Sequence, residues 1–192
     1  MRTDVSIQPI RDLLCDIYAG RILPARDAQP ADISLAMAAG LLHSIQHGMP
    51  IGMLTFSRTP DDNGAQRHVI DGHLRLAVLA GAFLPDHQRP AWAPPHLGRL
   101  AFHGLDTGDV RLGEASPGDP CSLPTWSLLN TMDFLRWERA LHRAVDSDTR
   151  QTVTHVAENL ARMLAATIPI VVCEGTTLEL RAVRGRVNSF LG

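Results

Sequence analysis

The residues best suited to chemistry in this chain are Asp71, Gly72, His73, Leu74 and Arg75, which follow the strand-like run His68-Val69-Ile70. A glycine at a strand-to-helix turn lets the backbone approach a ligand closely. The first N–H groups of the following helix are unpaired and its dipole is positive there, so the turn favours an anion. His73 and Arg75 add side-chain donors, and arginine grips phosphate through two N–H groups at once. Asp71 would repel a bare phosphate, which makes it a metal ligand, a general base, or the partner that orients Arg75. The competing reading is a capped helix with an Asp71–Arg75 ion pair and nothing more. Local sequence leaves both open.

Other groupings offer less. His43 and His47 stand four apart on a helical stretch, a metal-binding spacing, but no glutamate lies between them and no third ligand follows. A solvated helix face is expected there, and no metal site. His87, His96 and His103 are scattered through a proline-rich stretch. Trp126 and Trp137, eleven residues apart and so close to three helical turns, read as core. Arg181, Arg184 and Arg186 with Asn188 form the basic face of a last helix. Ser44 and Cys173 have no histidine paired with a base, so nucleophilic catalysis finds no support.

The elements that must position the turn follow from periodicity and breakers. Residues 6–19 predict a helix, with Ser6 as cap, Pro9 in the first turn and Ile10, Leu13, Leu14 and Ile17 at helical spacing. Residues 21–24 are a short extended piece, and 31–47 a second helix stopped by Gly48. Strands are expected at 51–56 and 67–70, separated by a polar turn-rich loop, then a helix from Leu74 to Phe83. From Pro85 to Pro124 the many prolines preclude long helices, and 99–103 with 109–112 predict a hairpin. Helices at about 125–144 and 149–166, a buried strand at 168–173 and a helix at 176–188 complete the reading. The expected class is α/β (α+β): a core from 1–84 and 167–192, with a small mixed sheet flanked by helices and a mostly helical insertion at 85–166. Strands 51–56, 67–71 and 168–173 should share one sheet.

Bulk properties bound the function. A chain of 192 residues, 45% hydrophobic and 20% charged, can bury a core. A net charge of -2 gives no general basic field, so direct DNA or membrane binding is not expected. All 18 basic residues are arginine, which excludes lysine-based mechanisms and leaves arginine as the permanent cation for phosphate. Codon bias of a GC-rich genome accounts for the missing lysine. Cys15, Cys121 and Cys173 are odd in number and far apart, as reduced thiols would be. Without a signal peptide or a run of about 20 apolar residues, a cytoplasmic protein is expected.

The segment VIDGHLRLAVL at 69–79 resembles the v-D-G-x-x-R signature of the ParB/sulfiredoxin-like superfamily, in which this turn binds nucleotide phosphates. The order of motifs is similar to that of the N-terminal domain of GmrSD-type modification-dependent restriction proteins. GRILP at 20–24, SIQHGMPIG at 44–52, IPIVV at 168–172 and RVNSFLG at 186–192 match that domain's pattern, and LAFHGLDTGDVRLGE with LPTWSLL fits its hairpin and following helix. The resemblance spans nearly the whole chain. It implies a phosphate site of Asp71, Gly72, His73 and Arg75 with Pro50, Ile51 and Gly52, joined by Arg186 and Asn188. Asp71 and His73 would be catalytic, with Mg2+ entering on a nucleotide.

The departures carry information too. The family's two glutamines in DGQQR are His73 and Leu74 here, and Leu74 cannot hydrogen-bond phosphate or water. The D-G-H-x-R form instead resembles the phosphate turn of ParB-like free-serine kinases. After Pro24 only Arg26 matches the family's usual Q-R and tryptophan, and the chain stops at Gly192 without an HNH nuclease half. The leading expectation is a nucleotide-binding, nucleotide-hydrolysing domain related to phage defence. A non-catalytic regulatory or partner-binding subunit and a small-molecule phosphotransferase are the alternatives. Phe190 and Leu191 suggest cover by a homodimer or a separately encoded partner protein.

Overall fold

In the computed structural model, residues 1–24, 32–58, 66–116 and 119–189 are described, with side chains as far as residue 185. Arg26 and the residues 190–192 lie outside the described part, as do the side chains of Arg186 and Asn188. The protein is mixed α/β. Strand β1 (Arg2–Pro9) runs into helix α1 (Ile10–Tyr18), followed by the two-residue β2 (Ile22–Leu23) and helix α2 (Leu35–Gln46). Strands β3 (Leu54–Arg58) and β4 (Arg67–Asp71) lead to helix α3 (His73–Phe83).

The segment expected to be helical from Ser6 is therefore a strand up to Pro9. Ser6 does not cap the helix; Pro9 does the capping position's work in extended conformation, without a side-chain cap. The apolar spacing was sound only from Ile10 onward, where Ile10, Leu13, Leu14 and Ile17 are all buried. Residues 51–53 precede β3 and are not part of it: Gly52 has a left-handed backbone, and pairing with β8 (Thr167–Glu174) starts at Leu54 opposite Ile170, just past Pro169, which has no N–H to give.

The main sheet has the order β1-β8-β3-β4-β2, so the three expected strands do share one sheet. β8 pairs antiparallel with β1 and parallel with β3; β4 pairs antiparallel with β3 and parallel with β2. Leu54, Phe56, Val69, Ile168, Ile170 and Val172 belong to one continuous core with α1 and α3. α3 is buried along Leu76–Phe83, the all-round apolar pattern of a central helix.

The stretch after Phe83 contains the hairpin expected at 99–103 with 109–112. It carries a second, three-stranded sheet of order β6-β5-β7, built from β5 (Leu100–His103), β6 (Arg111–Glu114) and β7 (Leu123–Pro124). Residues 125–128 form a 3-10 turn, and α4 proper is Thr131–Ala144, started by Asn130, whose side chain accepts from Met132 N–H. Pro124 precedes the turn, and the Asn130 cap separates it from α4. Trp126 thus sits in the turn, and Trp137 on α4 donates from Nε1 to the Ser122 carbonyl at 2.9 Å. α5 (Ser147–Ala161) begins on Asp146, which accepts from two backbone N–H groups, and ends in a 3-10 turn, Arg162–Ala165.

This stretch is joined to the rest by shared core, with Leu100, Phe102, Leu123, Leu141, Val153 and Leu164 in the same cluster as the main sheet. The buried Thr125 hydroxyl lies 2.6 Å from the Ala82 carbonyl of α3 and 3.1 Å from that of Leu100. The last helix, α6 (Thr177–Ser189), packs against β4. It opens on a capping box: Glu179 accepts from Thr176 N–H at 2.8 Å, and the Thr176 hydroxyl oxygen lies 3.4 Å from Glu179 N–H.

Candidate functional site

β4 ends at Asp71, and Gly72 turns the chain directly into α3 with φ +90° and ψ +16°. That left-handed geometry favours glycine, and space demands it as well. A Cβ on Gly72 would lie 2.2 Å from Leu54 Cδ2. No side chain caps the helix, and its ladder begins with Leu76 N–H donating to the Gly72 carbonyl. The N–H groups of His73, Leu74 and Arg75 therefore precede the ladder, as an anion site requires.

Arg75 is held from two sides. Nη1 donates to the Ile51 carbonyl at 2.9 Å, and Nη2 donates to Asp71 Oδ2 at 3.1 Å. Gly52, with φ +80°, lets the 50–52 backbone lie against the guanidinium, since a Cβ there would come within 2.5 Å of Nη1. Pro50, Ile51 and Gly52 are thus brought to Asp71, Gly72 and Arg75. The Asp71–Arg75 ion pair of the structural reading is present. It also fixes the cation beside the open helix start, with both side chains about one-quarter exposed. These two bonds use two of the five guanidinium N–H groups.

His73 and Leu74 behave differently from phosphate donors. The His73 ring lies 6.0 Å from that of Trp92, and both of its nitrogens are shielded from solvent without a hydrogen-bond partner. Burial pushes its pKa below the ordinary histidine value, so the ring is neutral at pH 7. Leu74 is the residue of the turn that faces solvent. The structure thus brings Pro50, Ile51, Gly52, Asp71, Gly72 and Arg75 together and turns His73 inward under Trp92. Arg186 and Asn188 lie on α6, whose side chains there are outside the described part.

Sequence reasoning missed Trp92 and a second ionic cluster. Asp16 on α1 accepts from Arg67 on β4, from Arg21 Nε at 2.8 Å and from Gln8 Nε2 at 2.9 Å. Burial pushes the Asp16 pKa up, but the donors Gln8 and Arg21 and the charges of Arg67 and Arg21 outweigh it and hold it low. Arg67 also lies over the Phe56 ring, 5.2 Å from its centroid. This cluster ties α1 to the strand that delivers Asp71.

Three further histidines hold backbone carbonyls. His47 Nδ1 bonds the His43 carbonyl at 2.9 Å on an exposed helix face, and His96 and His103 bond the carbonyls of Ile33 and Glu114. Among the described residues no group of three or more His, Cys, Asp or Glu side chains is placed to hold a metal ion. No helix among them is long and apolar enough to cross a membrane. A groove between α4 and α5, lined by Glu138, His142, Asp148, Arg150 and His155, has a volume of about 840 Å³ and shares no residue with the turn. No family model matches the chain, and no curated protein matches it.

Proposed function

We propose that the turn at 71–75 binds the phosphate groups of a nucleotide, as the resemblance to the GmrSD N-terminal domain and the wider ParB/sulfiredoxin-like superfamily implies. The observation that carries this reading is the uncapped start of α3 beside an arginine anchored by the Ile51 carbonyl and Asp71. An anchored guanidinium loses little freedom on binding, and the backbone donors need no rearrangement. Mg2+ would enter with the nucleotide. Asp71 is the one carboxylate of the turn that would hold it, in keeping with magnesium's habit of using one or two carboxylates plus phosphate oxygens.

The shielded His73 and the apolar Leu74 favour binding without efficient turnover, since neither presents a group to orient water. A regulatory subunit of a cytoplasmic phage-defence system is the form of the reading these two residues support. Hydrolysis would need His73 to turn outward, with Asp71 or His73 as the water-orienting base.

Calorimetric titration with a panel of nucleoside triphosphates and Mg2+ tests the binding. Arg75→Ala should weaken it by about 1.5–3 kcal/mol, roughly 10- to 150-fold. Unchanged affinity in a folded Arg75→Ala protein ends this reading. Phosphate release from the same panel separates binding from turnover.

A further inference from the structure

The two edges of the main sheet are unlike each other. One is β2, two residues long, and the other is β1, eight residues long with Arg2–Ile7 all exposed. Proteins usually blunt a long edge with a bulge, charged side chains or a proline. β1 has charge only toward its start, at Arg2 and Asp4, and neither a bulge nor an internal proline: its pairing with β8 runs without a shift from Arg2–Glu174 to Pro9–Thr167.

The hydrogen-bond parity shows which groups face outward. Ile10 N–H donates to the Ala166 carbonyl at 2.9 Å, continuing the β1–β8 register by one pair. In an antiparallel ladder, bonded and non-bonded pairs alternate. Arg2, Asp4, Ser6 and Gln8 therefore bond to β8, while Thr3, Val5 and Ile7 turn their N–H and C=O groups to the open edge. Pro9 falls in an outward slot, where its missing N–H costs no ladder bond. The side chains of Val5 and Ile7 share the sheet face of Val171 and Pro169, opposite the core, and are 68% and 71% exposed. An apolar stripe thus reaches the same edge that carries the free backbone groups.

We propose that two copies of this chain associate through β1, antiparallel about a two-fold axis at Val5. In that register Val5 faces Val5 of the second copy, and Thr3 faces Ile7 on either side. All three pairs are outward-facing, so each makes two backbone bonds. Pro9 lies just beyond the ladder. Moving the register by two residues one way sets Thr3 against Pro9 at both ends and leaves two carbonyls in the ladder without a donor; moving it the other way shortens the ladder. The Val5-centred register is the one in which all three outward residues are paired and every paired group is bonded, and the exposed Val5 and Ile7 side chains close over one another across the axis. The main sheets of the two copies become one ten-stranded sheet. A contact this small belongs with weak, concentration-dependent dimers.

The test is the mass in solution of the full chain by sedimentation equilibrium, over a wide concentration range. The wild type should rise from 20.9 kDa toward twice that value. Val5→Lys and Val5→Glu should each remain monomeric, because like charges would face each other at the axis, while an equimolar mixture of the two should regain the dimer. Ile7→Lys should also be monomeric, and circular dichroism should show all three variants folded, as expected for side chains this exposed. A wild type that stays monomeric at millimolar concentration overturns the proposal. So does a dimer indifferent to Val5→Lys and Ile7→Lys, or a lysine–glutamate mixture that does not pair.

Discussion

Replacing Gly72 by alanine adds one methyl group at the point where β4 becomes α3, and the structure sets its cost. The left-handed backbone at φ +90° penalises an L residue by about 1–2 kcal/mol. The new Cβ would also lie 2.2 Å from Leu54 Cδ2, on a side chain with no exposed surface into which to retreat. Overpacking of that kind costs about 1–3 kcal/mol. Together these give roughly 2–5 kcal/mol, a large part of the about 5–15 kcal/mol that holds a domain folded. The midpoint of thermal unfolding should fall by roughly 5–20 °C, and urea unfolding should show a lower midpoint at unchanged slope. Leu54→Val removes the opposing carbon and alone should cost about 1 kcal/mol, near the value of one methylene. The double variant should recover about 1–3 kcal/mol of the alanine penalty as coupling between contacting residues. A Gly72→Ala protein within about 0.5 kcal/mol of wild type, or strict additivity with Leu54→Val, would refute the argument.

Asp16→Asn should destabilise the fold by about 2–4 kcal/mol, somewhat below the value for a fully buried pair, because it strips the counter-charge from Arg67 on β4. The carboxyl's folded pKa is lowered, so its contribution is present above the unfolded value of about 3.9 and lost as pH falls through the lower folded one. Chemical denaturation between pH 6 and 2 reads both effects. His73 acts in the same direction at higher pH: burial lowers a histidine pKa, so the unfolded chain binds the proton first and stability falls as pH drops below about 6.5. His73→Phe should flatten that slope, and a slope unchanged by the substitution would show the ring to be unburied. Thr125→Val should cost about 1–3 kcal/mol, since it removes the one buried O–H that lies 2.6 Å from the Ala82 carbonyl and 3.1 Å from that of Leu100, with Thr125→Ser milder by the same denaturation assay.

What was legible in the sequence is what local chemistry decides. The Asp71–Arg75 turn, the helix behind it and the β-branched Ile168–Val172 strand all declare themselves through spacing and residue type. Residues 50–52 and 71–75 meet in the fold, where Arg75 donates to the Ile51 carbonyl. β1 was hidden because its identity as a strand rests on β8, more than 150 residues away, while Pro9 and the genuine periodicity from Ile10 drew the helix too far forward. The hairpin of β5 and β6 was legible around Gly104–Gly108, whereas the two-residue β7, ending in Pro124, was not. The inward turn of His73 depends on Trp92, and the Asp16–Arg67 pair on two elements 51 residues apart. No spacing rule connects such residues before the chain has folded.

The place of β8 in the sheet also governs how this protein is made. It lies between β1 and β3, paired with Arg2–Pro9 on one side and Leu54–Arg58 on the other. Arg58 and its sheet partner Glu174 are 116 residues apart, so at about 5–20 residues per second the ribosome needs roughly 6–25 s to supply the strand that joins the two parts. Throughout that interval β1 and β3 each wait with an unfilled side, at the stage when strand edges recruit the wrong neighbour. A holding chaperone therefore has a defined window and a defined substrate on the nascent chain. Premature termination before residue 167 would not yield a smaller version of this sheet; it would leave β1 stranded from β3, β4 and the turn they carry.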